Sequence, residues 1–272
     1  MTLASSRMLF IGCGNMGAAI INGIAERHPN VEIVAVDPSV DRARSLLKRP
    51  ELVLLRQTLP ASEAERFDVV LLAIKPQMLS QSVDEIVRFT EGALVVSIMA
   101  GITTPALRTK LRTDRVIRTM PNLAAEIGYS MTVGFADADL VSKDDRILAS
   151  ELLACIGRVE WLSSESDIDR ATAISGSGPG FVFAIAEDLI SAAIAEGLAP
   201  EVADTLVRQM LLGSARLLVS STKPPSSLKV AVTSPKGTTE AGLSVLQHEK
   251  TLALLLARAV RAAHERAREL GG

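Results

Sequence analysis

Residues 8–17 read Met8-Leu9-Phe10-Ile11-Gly12-Cys13-Gly14-Asn15-Met16-Gly17. The apolar start predicts a buried β-strand, and the glycines match the pattern G-x-G-x-x-G where a helix predicted over Met16–Glu26 begins. In this pattern Gly12 permits a tight turn, Gly14 lets a pyrophosphate approach the backbone, and Gly17 lets the helix pack closely on the strand. The stretch therefore predicts a dinucleotide-binding loop, and the alternative is a glycine turn without a ligand.

The next predicted strand, Val31–Val36, ends at an acidic residue. Asp37 follows Gly17 by 20 positions, where a carboxylate can bond a ribose 2′-hydroxyl, and this favours NAD. Arg42 and Arg44 come soon after, and a basic side chain there would instead take the 2′-phosphate of NADP. Asp37-Pro38-Ser39 also suits a plain turn that caps the following helix. The residues favour NAD and leave NADP open.

Strands and helices alternate through the first 165 residues. Val69–Ile74 and Ala93–Ile98 are almost entirely apolar, which is typical of strands buried on both faces. The remaining predicted strands are Leu52–Leu55, Val116–Thr119, Met131–Phe135 and Val159–Leu162, and the remaining helices are Asp41–Lys48, a segment that ends at Phe89, and Lys143–Cys155. This order predicts an α/β fold with a mainly parallel sheet.

Ligands of such sheets bind at the carboxyl ends of the strands. We expect the cofactor to run along three of these ends, which are Ala73-Ile74-Lys75-Pro76, Met99-Ala100-Gly101 and Met120-Pro121-Asn122. Lys75 is a candidate proton donor, although a lysine at a strand exit is more often a cation that faces solvent or a phosphate.

The chain becomes helical after Glu165. The predicted helices are Ile168–Ile174, Phe181–Glu196, Glu201–Val219 and Thr251–Leu270, and no strand is predicted among them. We therefore divide the chain into an α/β domain, residues 1–165, and an all-α domain, residues 166–272. Two of the helices are apolar on more than one side, which predicts that a second copy of the chain packs against them.

Two glycine-containing polar segments interrupt these helices. Ser175-Gly176-Ser177-Gly178-Pro179-Gly180 is predicted to end one helix and start another, either as a tight connection or as a ligand-facing turn. Thr233-Ser234-Pro235-Lys236-Gly237-Thr238-Thr239 precedes a helix predicted to begin near Thr239. Backbone N–H groups at the start of a helix bind small anions, so this segment is a candidate anion site. The alternative is a turn with an N-cap.

Composition excludes several classes of function. The 272 residues carry a net charge of −2 and only 3% aromatic residues, so neither a basic field nor a stacking surface for nucleic acid is expected. No apolar run reaches about 18 residues, so no membrane span is expected. The start of the chain lacks the pattern of a secretory signal, and two cysteines are too few for a disulfide framework. We expect a cytoplasmic protein without a metal site, since the three histidines are far apart in sequence.

Taken together, these motifs resemble the pyrroline-5-carboxylate reductases, which reduce a cyclic imine to L-proline in proline biosynthesis. The resemblance runs from the glycine loop through Ala73-Ile74-Lys75-Pro76 and Met120-Pro121-Asn122. It is most specific in Thr172-Ala173-Ile174-Ser175-Gly176-Ser177-Gly178-Pro179 and in Thr233–Thr239, which occur in the order and spacing of the family.

The resemblance implies a Rossmann domain followed by an all-α dimerisation domain. It also implies an interlocked homodimer, often assembled further into a decamer, with NADPH or NADH as cofactor and a small imine acid as substrate. The cofactor-binding residues that it implies are Gly12, Gly14, Asn15, Met16, Gly17, Asp37, Pro38, Ser39, Ala73, Lys75, Pro76, Ala100, Gly101 and Asn122.

The resemblance also implies a substrate site, made of Glu165, Ser234, Lys236, Gly237, Thr238 and Thr239. Backbone N–H groups of Ser234–Thr239 would hold the substrate carboxylate, and the Thr239 hydroxyl would be the catalytic partner of the imine nitrogen. Four segments depart from the family. They are Lys236, where Gly is usual, Leu123-Ala124 for Thr-Pro, Gly180-Phe181 for Ala-Tyr, and Val230-Ala231 for a polar pair. A different cyclic imine acid therefore stays open as the substrate.

The chemistry fits these residues. A cyclic imine is basic enough to bind protonated, so its reduction depends on positioning and on the hydride donor more than on a strong acid. A β-hydroxy acid dehydrogenase would need a lysine soon after the second glycine motif, and none occurs between Gly180 and Arg216. A non-catalytic nucleotide-sensing or vitamin B6-binding protein would have no use for the hydroxyls of Thr233–Thr239.

Overall fold

The predicted strands form one mainly parallel sheet. The computed structural model describes residues 2–59 and 65–270. Its strands are β1 Arg7–Ile11, β2 Glu32–Val36, β3 Val53–Arg56, β4 Val69–Leu72, β5 Leu94–Ser97, β6 Val116–Met120, β7 Ser130–Ala136 and β8 Gly157–Trp161. All eight were predicted within two residues at either end, and they lie in the order β3-β2-β1-β4-β5-β6-β7-β8. Only the β6–β7 pair is antiparallel.

The central strands are buried on both faces, as their apolar sequences predict. Along β1, Met8 and Phe10 belong to the core on one side of the sheet, whereas Leu9 and Ile11 belong to the core on the other. This alternation follows from the two-residue period of a strand, and helices cover both sides. The sheet therefore holds rigid strand ends, from which the glycine loop emerges.

The helices complete the two halves of the chain. They are α1 Asn15–Arg27, α2 Val40–Leu46, α3 Pro76–Ile86, α4 Thr104–Leu111, α5 Lys143–Ala154, α6 Ser166–Ala171, α7 Gly178–Ala195, α8 Pro200–Ser220, α9 Pro225–Ala231, α10 Thr238–Gln247 and α11 Thr251–Glu269. Sequence reasoning missed α4 and α9, which are both short. Thr103 caps α4 by accepting a hydrogen bond from the Ala106 amide at 3.4 Å, and Arg112 ends it at φ 54°.

One prediction about these helices was wrong. Ser175–Gly180 does not separate two helices, because α6 and α7 are joined by the π-helical segment Thr172–Gly176 into a helix that runs from Ser166 to Ala195. The wider turn is closed by the Ser177 amide, which donates to the Thr172 carbonyl at 2.9 Å. Ser177 keeps helical angles, so the glycines and Pro179 are accommodated inside the helix.

The chain divides into two compact units. One comprises residues 1–177 with 263–272 and contains the whole sheet, and the other comprises residues 178–262 and contains α7 to α10. Among the described residues beyond 165 there is no strand.

The helix Ser166–Ala195 is long and apolar enough to cross a membrane by length and composition. The most apolar stretch of this helix is not buried within the chain. A single helix of this kind is weak evidence for a span, since a helix that another chain covers passes the same test.

Candidate active site

The glycine loop has the geometry that its sequence predicts. Gly12 adopts φ +96°, and a Cβ there would lie 2.5 Å from the Ala73 carbonyl oxygen. A Cβ on Gly17 would lie 2.5 Å from the Gly12 oxygen, so α1 packs directly against the turn. A Cβ on Gly14 would have no neighbour within 4 Å, and its backbone is open to a ligand. The loop therefore presents bare backbone at the start of a helix, where a pyrophosphate binds.

The Asp37 carboxylate holds this loop in place through hydrogen bonds. Its Oδ2 accepts a hydrogen bond from the Cys13 amide at 2.9 Å, and its Oδ1 accepts one from the Ser39 amide at 2.9 Å. The carboxylate thus ties the turn after β1 to the turn after β2. Burial and the charge of Asp37 raise the pKa of the Cys13 thiol to about 11, so this cysteine stays protonated at neutral pH.

A cavity of about 530 Å³ opens at the carboxyl ends of β1, β2, β3 and β4. This edge includes the point where the strand order reverses between β1 and β4, the usual place for a ligand in such sheets. Eight of the predicted cofactor residues line the cavity, namely Gly12, Gly14, Asn15, Asp37, Pro38, Ser39, Ala73 and Lys75.

The other predicted cofactor residues lie near this edge without lining the cavity. Met16 packs against the core, and Pro76 is the first residue of α3 after Lys75. Ala100 and Gly101 form the turn that follows β5, with φ +77° at Gly101. Gly17 packs against the Gly12 carbonyl, and the Asn122 side chain forms hydrogen bonds with Ser175 and Ala124.

Sequence reasoning missed several lining residues. Gln57, Thr58 and Leu59 follow β3, and Met78, Ser82 and Glu85 lie on α3. The residues after β3 could have been predicted from the strand order, because parallel neighbouring strands such as β2 and β3 end at the same edge of the sheet. Arg42 also lines the cavity, and its Nη2 lies 3.5 Å from the Asn15 Oδ1, whereas Arg44 does not line it.

Glu165 lies in a cluster that the sequence did not reveal. Its carboxylate accepts hydrogen bonds from the Thr104 amide at 2.7 Å and from the Thr104 hydroxyl at 2.8 Å. Arg118, on β6 and only 3% exposed, lies 3.5 Å from Glu165 and 2.7 Å from Asp169. A cation inside a predicted buried strand was the available signal, since a buried arginine needs carboxylate partners.

The side chain of Asn122 bonds to protein at both ends. Its Nδ2 donates to the Ser175 carbonyl at 2.8 Å, and its Oδ1 accepts from the Ala124 amide at 3.2 Å. The structure therefore brings Asn122 to the π-helical segment, although sequence reasoning assigned it only to the cofactor.

In the second unit, the segment Thr233–Thr239 forms a turn followed by α10. The Gly237 amide donates to the Ser234 carbonyl at 3.0 Å, and Lys236 sits in the left-handed region at φ +58°. The Lys236 amide donates to Glu240 Oε2 at 2.6 Å, so a carboxylate of the chain already bonds this turn. Thr239, half-buried, lies in the first turn of the helix, whose leading amides have no acceptor within the helix.

No metal site accompanies these groups in the described part of the chain. Among residues 2–59 and 65–270 there is no group of three or more His, Cys, Asp or Glu side chains able to hold a metal ion. The second cysteine, Cys155, is buried, which raises the pKa of its thiol to about 11.

Comparison with known proteins identifies the family. Residues 165–270 match the family model described as pyrroline-5-carboxylate reductase dimerisation, and residues 7–101 match the one described as NADP oxidoreductase, coenzyme F420-dependent. The chain is 36% identical to the pyrroline-5-carboxylate reductase of Vibrio alginolyticus over 97% of both chains, and 34% identical to that of Pseudomonas aeruginosa over 98% of both.

Solved structures agree. The pyrroline-5-carboxylate reductase of Coxiella burnetii superposes with a TM-score of 0.89 at 33% identity, covering 98% of this chain and 99% of that one. The pyrroline carboxylate reductase of Plasmodium falciparum, with NADP bound, superposes with a TM-score of 0.84 at 26% identity, covering 99% and 100%. Since the relatives match almost the whole chain and include the segments that carry the site, the chain belongs to the pyrroline-5-carboxylate reductase family.

Proposed function

We propose that this chain reduces the C=N bond of 1-pyrroline-5-carboxylate to L-proline with a hydride from NADPH or NADH. The observation that carries the proposal is the match of residues 165–270 to the family's dimerisation model. Glycine loops at strand ends serve many chemistries, whereas this half of the chain, which includes Thr233–Thr239, is specific to the family. We also propose that the functional domains divide at residue 165, where that match begins.

The cavity at the strand ends fits a nicotinamide dinucleotide. Gly14 leaves its backbone open, and Asp37 holds the loop in place through the Cys13 and Ser39 amides. When bound, the cofactor supplies the hydride. The role of the chain is to hold the imine carbon in line with the hydride, and the rate gain comes from that alignment.

We infer that the substrate carboxylate binds at the start of α10. The Gly237 amide already donates to Ser234 and the Lys236 amide to Glu240, whereas the amides of Thr238 and Thr239 are among the open donors there. The imine binds as its protonated form, and the Thr239 hydroxyl accepts a hydrogen bond from the imine nitrogen. After hydride addition to carbon, the nitrogen keeps that proton as the secondary amine.

An assay with pyrroline-5-carboxylate tests the proposal directly. We expect the wild type to oxidise NADPH or NADH in its presence, and Thr239→Ala to lower kcat by about 100-fold, because the imine is no longer held in line with the hydride. Cofactor affinity, measured by nicotinamide fluorescence, should change by less than about twofold, because the glycine loop is untouched.

A matched control is Thr109→Ala, which removes an exposed hydroxyl that donates to the Pro105 carbonyl at 3.0 Å on α4. It should keep the wild-type kcat. Absence of turnover with both cofactors, in protein shown to be folded by circular dichroism, would overturn the proposed function. Loss of cofactor binding in Thr239→Ala would show instead that its assignment to the substrate is wrong.

Cofactor preference depends on Arg42 in this proposal. The sequence position of Asp37 favours NAD, and both of its carboxylate oxygens accept hydrogen bonds from backbone amides. Arg42 lines the same cavity and can offer a positive charge to a 2′-phosphate. Arg42→Ala should weaken NADPH binding by about tenfold, as expected for one charge-assisted hydrogen bond, and leave NADH binding within about twofold. Arg44→Ala is the control, since Arg44 is exposed but does not line the cavity. Equal losses for both cofactors would show that Arg42 does not meet the 2′-phosphate.

We further propose that the chain is a cytoplasmic homodimer, interlocked through its helical half and able to assemble into a decamer. Within residues 178–262, α7 has no buried residue although it carries Val182, Phe183 and Ile185. On α8, Leu217 is 54% and Val219 is 80% exposed. Apolar surface of this extent is normally covered by another chain, which also accounts for the apolar helix without a membrane. Sedimentation at micromolar concentration tests this, and a monomer would contradict it.

A further inference from the structure

The π-helical segment leaves one carbonyl without its usual donor. In an α-helix the Ser175 carbonyl would accept from the amide of residue 179, but that residue is a proline and has no amide hydrogen. Ser175 is half-buried, and a carbonyl removed from water needs a partner. The usual α-helical donor is therefore missing at this position.

Asn122 supplies a donor, 53 residues earlier in the sequence. Its Nδ2 lies 2.8 Å from the Ser175 oxygen. The orientation of the amide is fixed, because its Oδ1 accepts from the Ala124 amide at 3.2 Å and only the nitrogen is left to face Ser175. The Asn122 backbone is held as well, since its own amide donates to the buried Ser130 hydroxyl at 3.1 Å.

This hydrogen bond connects the helix to the cofactor edge of the sheet. Asn122 lies just past the end of β6, and β6 is separated from β4, which ends at the cavity, by β5 alone. The helix that it contacts is π-helical over Thr172–Gly176, and such segments occur often at functional sites. A methyl group of Met120 also lies about 4.0 Å from the position of a Cβ on Gly176, so the segment packs against the same strand end.

We propose that Asn122 is a positioning residue for the imine reduction. Its side-chain amide replaces the helix donor that Pro179 lacks and holds Thr172–Gly176 at the carboxyl end of β6. The kinetic part of this inference rests on the proposed function, whereas the structural part does not. Because a displacement of about 1 Å in a positioning element can cost about 100-fold in rate, loss of this one donor should be visible in kcat.

The sharpest test is Asn122→Asp, which keeps the acceptor for the Ala124 amide but cannot donate to Ser175. We expect kcat to fall about tenfold or more, since the segment is no longer held, with NADPH affinity within about twofold. Amide hydrogen exchange at Gly176, Ser177 and Gly178 should become faster, because the π-helical turn opens more often. The control is Asn30→Asp, the same chemical change in an exposed turn, which should alter neither quantity.

A double-mutant cycle with Pro179→Ala separates this role from a general effect of the substitution. Alanine restores an amide hydrogen four residues after Ser175, so the helix can satisfy the carbonyl itself. In that background Asn122→Asp should change kcat and hydrogen exchange by less than about threefold. The difference between the effects of Asn122→Asp in the two backgrounds measures the coupling between Asn122 and Pro179.

Three results would overturn the proposal. They are an Asn122→Asp variant with wild-type kcat and exchange, an equal effect of Asn122→Asp in both backgrounds, and faster exchange throughout the chain rather than at the segment. If the wild type does not reduce pyrroline-5-carboxylate, the proposed function fails, and the exchange measurements still decide whether Asn122 holds the segment.

Discussion

Replacing Gly12 with alanine should both destabilise the chain and abolish cofactor binding. Gly12 adopts φ +96°, and a Cβ there would lie 2.5 Å from the oxygen and 2.8 Å from the carbon of the Ala73 carbonyl. The obstacle is backbone that cannot move freely, because the Ala73 amide donates to the Ile11 carbonyl at 2.8 Å. Strain of this kind costs about 1–3 kcal/mol, and displacement of packed backbone adds about as much. We expect a loss of roughly 3 kcal/mol in urea unfolding.

Gly14→Ala is the comparison that separates fold from binding. Gly14 has φ −74°, and a Cβ there meets no atom within 4 Å, so the free energy of unfolding should change by less than about 1 kcal/mol. Its added methyl group would nevertheless stand where the pyrophosphate approaches the backbone, and NADPH titration should show binding lost. If Gly12→Ala unfolded at the wild-type urea concentration, the tight contact between the loop and the residue that follows β4 would be refuted.

Arg118→Met should strongly destabilise the chain. Arg118 is 3% exposed, and its guanidinium lies 2.7 Å from Asp169 and 3.5 Å from Glu165. Methionine fills most of the volume but leaves two partly buried carboxylates without their cation. Breaking a buried ion pair from one side costs about 3–5 kcal/mol, and we expect the lower end because the two carboxylates remain about one-fifth exposed to water.

The effect should become smaller when one of the two stranded charges is also removed. In Arg118→Met/Asp169→Asn, the free energy of unfolding should recover by about 1–2 kcal/mol, since the uncompensated charge is the larger part of the cost. Arg170→Met is the control, because Arg170 pairs with Asp167 on an exposed helical surface, where such pairs contribute about 0.5 kcal/mol. A loss in Arg118→Met no larger than in Arg170→Met would mean that the buried cluster carries no stability.

The cluster also bears on catalysis. Arg118 and Thr104 together fix the Glu165 carboxylate, which the family resemblance places near the substrate. Both oxygens of the Glu165 carboxylate are therefore already bonded within the protein. If Glu165 contacts the substrate, its carboxylate is positioned by Thr104 on α4 and Arg118 on β6. Arg118→Met should then lower kcat as well as stability.

The fold was predictable where neighbouring residues suffice to define it. The continuous apolar run that begins at Met8 marked the strand, and Gly12, Gly14 and Gly17 marked the turn and the helix after it. All of these are set by backbone sterics and by the run of apolar side chains over a few residues. The weaker predictions were those of the hydrogen-bond partners of polar residues, when several partners distant in sequence are available. Asp37 is an example, since its spacing predicts a ribose contact but did not reveal the hydrogen bonds that its two oxygens accept from the Cys13 and Ser39 amides.

The sequence alone determined the α/β order, the dinucleotide loop, the helical second half and, through its motifs, the family. Only the tertiary structure decided how the buried polar groups are satisfied. It showed that Arg118 lies between Glu165 and Asp169, and that the Asn122 side chain donates to the Ser175 carbonyl, 53 residues further along the chain. The physical reason is that strands, turns and helix starts depend on bonds between near neighbours. A buried charge or carbonyl must instead find its partner on whichever element the fold brings beside it, and spacing along the chain does not encode that choice.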